Sequence, residues 1–136
     1  MPILRTDDPS SQHRERLGTY RRFRIPFLRS VALLSAWDGQ PEQAIDHLTE
    51  AAGLAADLGV PAERWQIQAA LGGLYQVVGE PTQAQAAFGE AARIIRGLAE
   101  GIGDETRRSN FLAGPQIQPV LQQAQREASR APKDNL

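Results

Sequence analysis

Through the middle of the chain, apolar and polar residues alternate with a helical period. Ala44, Leu48, Ala51, Ala55 and Leu58 advance by four, three, four and three residues, which places them on one stripe of an α-helix. Forty residues later Ala84, Phe88, Ala91, Ile95 and Leu98 repeat that stripe. The same offset pairs Gln43-Ala44 with Gln83-Ala84 and Glu50-Ala51 with Glu90-Ala91. Each stripe begins just after a Gly-x-Pro triplet, Gly39-Gln40-Pro41 in the first copy and Gly79-Glu80-Pro81 in the second. Glycine can end a helix in a left-handed turn and proline suits the first position of the next, so each triplet predicts a tight helix-to-helix turn.

A further helix is predicted upstream of each turn. In the first copy it runs from Phe27 to Asp38 after Pro26, and in the second from Ala62 to Val78 after Pro61. Leu71, Leu74, Tyr75 and Val78 give the second of these an apolar face, with Glu63, Arg64, Gln66 and Gln76 available to water. Past Leu98 the pattern thins. Asp104 can cap a helix through Phe111-Leu112 that Gly114-Pro115 stops, and Gln118 to Ser129 would complete a third pair, with Val120, Leu121, Ala124 and Ala128 inward and a Gln-, Arg- and Glu-rich outer face. The expected organisation is a basic, partly unstructured segment over residues 1–25, helical hairpins at about 26–59, 61–101 and 104–129, and a disordered tail at 130–136. Self-similarity at a fixed period is the sign of a repeat architecture.

Composition agrees with an all-α reading and narrows the chemistry. The chain has 136 residues, enough for one helical core. Its 15 basic and 16 acidic side chains give a formal net charge of -1, so no bulk field favours nucleic acid or an anionic membrane. There is no cysteine, which removes disulfides, thiolate nucleophiles and cysteine-based zinc sites. The N-terminus lacks the apolar core of a signal peptide, and no run approaches the roughly 20 apolar residues of a membrane span. The expected location, by default, is the cytoplasm.

The second copy resembles a tetratricopeptide repeat. Leu71-Gly72, Tyr75, Ala84, Phe88 and Ala91 stand in the spacing of that family's Leu-Gly, Tyr, Ala, Phe and Ala signature. Small residues at Gly72 and Ala84 suit a close helix crossing, and Tyr75 and Phe88 fill the space beside it. Gln68 and Arg96 depart from the family's usual tryptophan and proline. The first copy keeps Gly39, Ala44 and Ala51, with Leu48 for the aromatic and Val31-Ala32 and Ser35 for Leu-Gly and Tyr. The forty-residue period exceeds the usual thirty-four. Long repeats of this kind look like the C-terminal helical arrays of bacterial signalling ATPases and transcriptional regulators, and Leu98 to Ile102, Asp104-Glu105, Arg107, Phe111-Leu112 and Pro115 resemble the way such arrays close. The resemblance implies antiparallel hairpins stacked as a short right-handed α-solenoid. It also implies a concave groove lined by Arg29, Leu33, Ala36 and Trp37 and then by Gln66, Ala69, Gly73, Gln76 and Val77, with the repeat signature at Gly39, Ala44, Leu48, Ala51, Leu71, Gly72, Tyr75, Gly79, Ala84, Phe88 and Ala91.

No glycine-framed serine, phosphate-binding loop or metal-ligand spacing occurs, and His13 and His47 stand alone, so neither catalysis nor a cofactor nor a metal is expected. The leading expectation is a scaffold that holds a peptide or helix of a protein partner, with Trp37 as an anchor or else as a seal on the hairpin core. A regulatory or sensor segment of a larger signalling protein is the alternative. A weaker third reading is nucleic-acid binding through Arg14, Arg16, Arg21, Arg22, Arg24 and Arg29, with Tyr20 and Phe23 interleaved. The first hairpin has no earlier unit over its apolar edge, which leads to an expectation of homodimers.

Overall fold

The computed structural model describes residues 9–130. Expectations for residues 1–8 and 131–136 lie outside the described residues. The described chain is all-α: α1 (Pro9–Trp37), α2 (Pro41–Leu58), α3 (Pro61–Val77), α4 (Pro81–Glu100), α5 (Glu105–Leu112) and α6 (Gln118–Arg130).

Three turns between the first four helices share one geometry, for which the sequence supplies the same chemistry at positions twenty residues apart. Gly39, Gly59 and Gly79 each take a positive φ, between 66° and 78°. Each donates its N–H to the carbonyl three residues back, and the next residue donates to the carbonyl five back, as in Gln40 to Ser35 at 2.8 Å and Glu80 to Tyr75 at 2.8 Å. These two hydrogen bonds satisfy loose carbonyls at the helix end, and only glycine enters the left-handed region without a Cβ penalty. Pro41, Pro61 and Pro81 then open α2, α3 and α4, where a missing N–H removes no intrahelical bond. Connections this short force successive helices to run antiparallel.

The closest packing is of α1 on α2 and of α3 on α4; α2 meets α3 and α4 meets α6 less extensively. One apolar cluster joins Ile25, Leu28 and Ala32 of α1 to Ala44, Leu48, Ala51 and Ala55 of α2 and to Ile67 and Leu71 of α3. A second joins Trp65 of α3, Ala91, Ile94 and Ile95 of α4, and Ile117 and Val120 at the start of α6. Alanine at the crossings lets the backbones approach, so the larger side chains fill what remains. Gly72 is the extreme case, since a Cβ there would lie 2.6 Å from the Phe88 ring. An ion pair ties each hairpin from outside: Arg24 to Glu50 at 2.6 Å, and forty residues on Arg64 to Glu90 at 3.3 Å.

The structure departs from the sequence reading at both ends. Pro26 does not start a helix but lies inside α1, which begins at Pro9. Ahead of the proline, Ile25 is fully buried and Arg24 is bonded to Glu50, so contacts with α2 hold that turn helical despite the lost N–H bond. At the other end α5 and α6 do not pair as a third hairpin. The eight-residue α5 rests lightly on α4, and α6 packs on α4 in its place. Arg108 explains what α5 does: its guanidinium donates to the carbonyls of Ala99 (3.2 Å) and Ile102 (2.8 Å), completing an α4 terminus that lacks a left-handed glycine. Within α6, Ala128 is exposed and Glu127 is buried, the reverse of the expected outer face.

Candidate functional site

The first helices of the two hairpins, α1 and α3, touch little, and the space between them is an open groove of about 520 Å³. Its floor is apolar: Ala32 and Leu48 are buried core residues, and Ala36, Ala70 and Leu74 line the sides with Leu33. Helical spacing produces this lining. Arg29, Leu33 and Ala36 advance by four and three along α1, and Ala70 and Leu74 by four along α3, so each helix offers one strip. The short side chains of Ala36 and Ala70 are what keep the groove from filling.

Polar groups sit at one end. Arg29 donates from Nη2 to Gln66 Oε1 at 2.9 Å, bridging α1 and α3 across the groove, and Pro26 and Ser30 complete the rim. A guanidinium carries five N–H donors, so one bond to an amide leaves capacity for a carboxylate.

Of the residues assigned to a concave surface from sequence, Arg29, Leu33, Ala36 and Gln66 come together here. Leu48, Ala70 and Leu74 belong with them and were missed. Leu48 reaches the floor from α2, and only its depth relative to α1 and α3 reveals it. The remaining five residues stand elsewhere. Ala69 packs against the second apolar cluster, and Gln76 donates to buried Glu127 of α6 at 2.5 Å, so these two face α6. Gly73 has open space around it and Val77 is exposed. Trp37 is exposed, lines no part of the groove and seals no core.

The basic stretch is drawn into the fold where it is described. Arg24 is bonded to Glu50 and Arg29 to Gln66; the side chains of Arg14, Arg16, Arg21 and Arg22 lie outside those described. Among the described residues there is no group of three or more His, Asp or Glu placed to hold a metal ion, and no helix is long and apolar enough to cross a membrane. Compared with protein-family models, curated proteins and solved structures, the chain shows no significant match.

Proposed function

We propose that this chain is a non-catalytic helical-repeat scaffold of tetratricopeptide type, and that the groove between α1 and α3 holds a segment of a protein partner. The observation that carries the reading is the groove itself, an open trough with an apolar floor drawn from three helices and a cation at one end. Two further observations support the repeat: the shared Gly-x-Pro turn geometry and the ion pairs forty residues apart. A trough with this lining suits a short helix or extended peptide that places one or two aliphatic side chains over Ala36 and Ala70 and an acidic group near Arg29.

The test is a panel of display-selected peptides titrated against the labelled protein by nuclear magnetic resonance. Binding should shift resonances of Leu33, Ala36, Ala70 and Leu74. Ala36→Trp should fill the groove from an exposed position, weakening affinity by at least tenfold, about 1.4 kcal/mol, while the melting temperature holds. Trp37→Ala should leave affinity unchanged. Selected peptides whose affinity survives Ala36→Trp, or whose shifts cluster elsewhere, would remove the groove as the functional surface.

A further inference from the structure

The outer face of α1 is apolar although no described residue covers it. Phe23 is 71% exposed, Phe27 57%, Leu34 64% and Trp37 85%. At about 100° per residue these four and Ser30 fall within an arc of about 80°. The arc is centred opposite buried Ile25, Leu28, Ala32 and Ser35. The helix is therefore apolar on two opposite faces, and the fold uses one.

Forty residues later α3 shows how such a face is used. Ile67 and Leu74 stand where α1 has Phe27 and Leu34, and both pack into the cluster formed with α1 and α2. The match stops at the ends of the stripe, where α3 has Glu63 and exposed Val77 and α1 has the aromatic residues Phe23 and Trp37. Hence α1 offers a longer and more aromatic strip than α3 needs to receive a hairpin. The opposite end of the molecule cannot cover it, because exposed Gln122, Gln125, Arg126 and Ser129 make the outer side of α6 polar.

We propose that a second copy of this chain covers the strip, with the two α1 helices packed antiparallel about a two-fold axis at Ser30. The strip is complementary to itself in that arrangement. Phe23 lies seven residues before Ser30 and Trp37 seven after, so each Phe23 meets Trp37 of the partner subunit; Phe27, three before, and Leu34 of the partner subunit, four after, are offset by one residue's rise of about 1.5 Å, still within side-chain reach. Small Ser30 at the centre lets the helices close. The four large side chains expose roughly 600 Å² of mainly apolar area per chain, taking 150–250 Å² for a whole aromatic side chain. Covering both strips completely would bury at most about 1,200 Å², which just reaches the lower bound for a specific interface. The groove lies on the adjoining flank of α1 and shares only Ser30, at its rim, with the strip; its floor at Ala32 and Leu48 and its wall at Ala36 lie outside the paired face.

Sedimentation equilibrium should show a concentration-dependent dimer, and Phe27→Glu with Leu34→Glu should make it monomeric at unchanged helix content, since both positions are exposed. The chain has no cysteine, so Ser30→Cys introduces a single thiol. Helices 8–10 Å apart place facing Cα atoms about 4–5 Å apart, within disulfide range. Mild oxidation should cross-link Ser30→Cys and leave Gly53→Cys, on the exposed side of α2, uncross-linked. A wild-type monomer at all concentrations overturns the proposal. So does a dimer indifferent to the two glutamates, or one in which Ser30→Cys fails to cross-link. Ala36→Trp, which blocks the groove, should leave the dimer intact, so the two readings fail separately.

Discussion

Between α1 and α2 the crossing holds Ala32 with Leu48; between α3 and α4, forty residues on, the same places hold Gly72 and Phe88. The turns are alike and the ion pairs lie at the same positions, so the frame does not decide which pair is used. What differs is how one volume is divided. A ring at position 88 leaves no room for a Cβ opposite, while a leucine at position 48 goes with an alanine. The comparison teaches that the small residue and the large one form a unit, and that reading either alone misstates its importance.

Removing the ring should have the largest effect. Phe88 is buried, and Phe88→Ala would open a cavity against Gly72, which has no side chain to move in, so a loss of about 3–5 kcal/mol is expected in urea unfolding. A loss below about 1.5 kcal/mol, the scale of an ordinary substitution, would mean that the ring is not the filler of the crossing. Gly72→Ala comes next. Overpacking of about 1–3 kcal/mol, set against about 1 kcal/mol of gained helix propensity, leaves a net loss of up to roughly 2 kcal/mol. The double variant Gly72→Ala, Phe88→Leu recreates the pair of the first hairpin, and its cost should fall short of the sum by about 1 kcal/mol. Strict additivity would break the comparison.

The boundaries of α2 and α3 and the start of α4 were legible because glycine and proline punctuate them locally, without help from distant contacts. Gly72 was legible through its place beside Leu71 and Tyr75. The ends were not, and the reason is tertiary in each case. Pro26 reads as a start because proline suits a first turn, but Ile25 and Arg24 are held by residues of α2 that no local pattern reports. Glu127 reads as solvent-facing, yet it is 2% exposed because Gln76 and Gln123 supply donors to it. The groove was half legible. Period gives the strip on α1, but whether Gln76 lines a groove or meets α6 depends on where α6 packs.

Gly73 provides a control of opposite sign. It adjoins Gly72 in the same helix, but nothing lies within 4 Å of the Cβ it would carry. Gly73→Ala should therefore stabilise by about 0.5–1 kcal/mol, by restricting the unfolded chain and favouring the helix. A destabilised Gly73→Ala in thermal melts would show that the tightness at Gly72 reflects backbone crowding along α3 and not the Phe88 ring.

The smallest effect concerns the paired charges outside the two hairpins. The Arg24 guanidinium, hydrogen-bonded to Glu50, lowers that carboxyl below its ordinary value of 4.5, and Glu90 is lowered chiefly by its hydrogen bond from Arg93, with Arg64 adding to it. A carboxylate whose folded pKa is depressed contributes stability that is complete above its unfolded pKa and fades as pH falls through the folded one. Both pairs should therefore act fully at neutral pH and weaken only below about pH 4.5. Half-exposed pairs are screened by solvent, so Glu90→Gln should cost no more than about 0.5 kcal/mol at pH 7. Denaturation midpoints of wild type and Glu90→Gln, followed from pH 7 to pH 3, should converge on acidification. Glu50→Gln removes the charge that Arg24 pairs with, so its midpoints should respond less to added salt at pH 7 than wild type does. A gap between wild type and Glu90→Gln that stays constant with pH would show that Glu90 acts through packing on α4 and not through its charge.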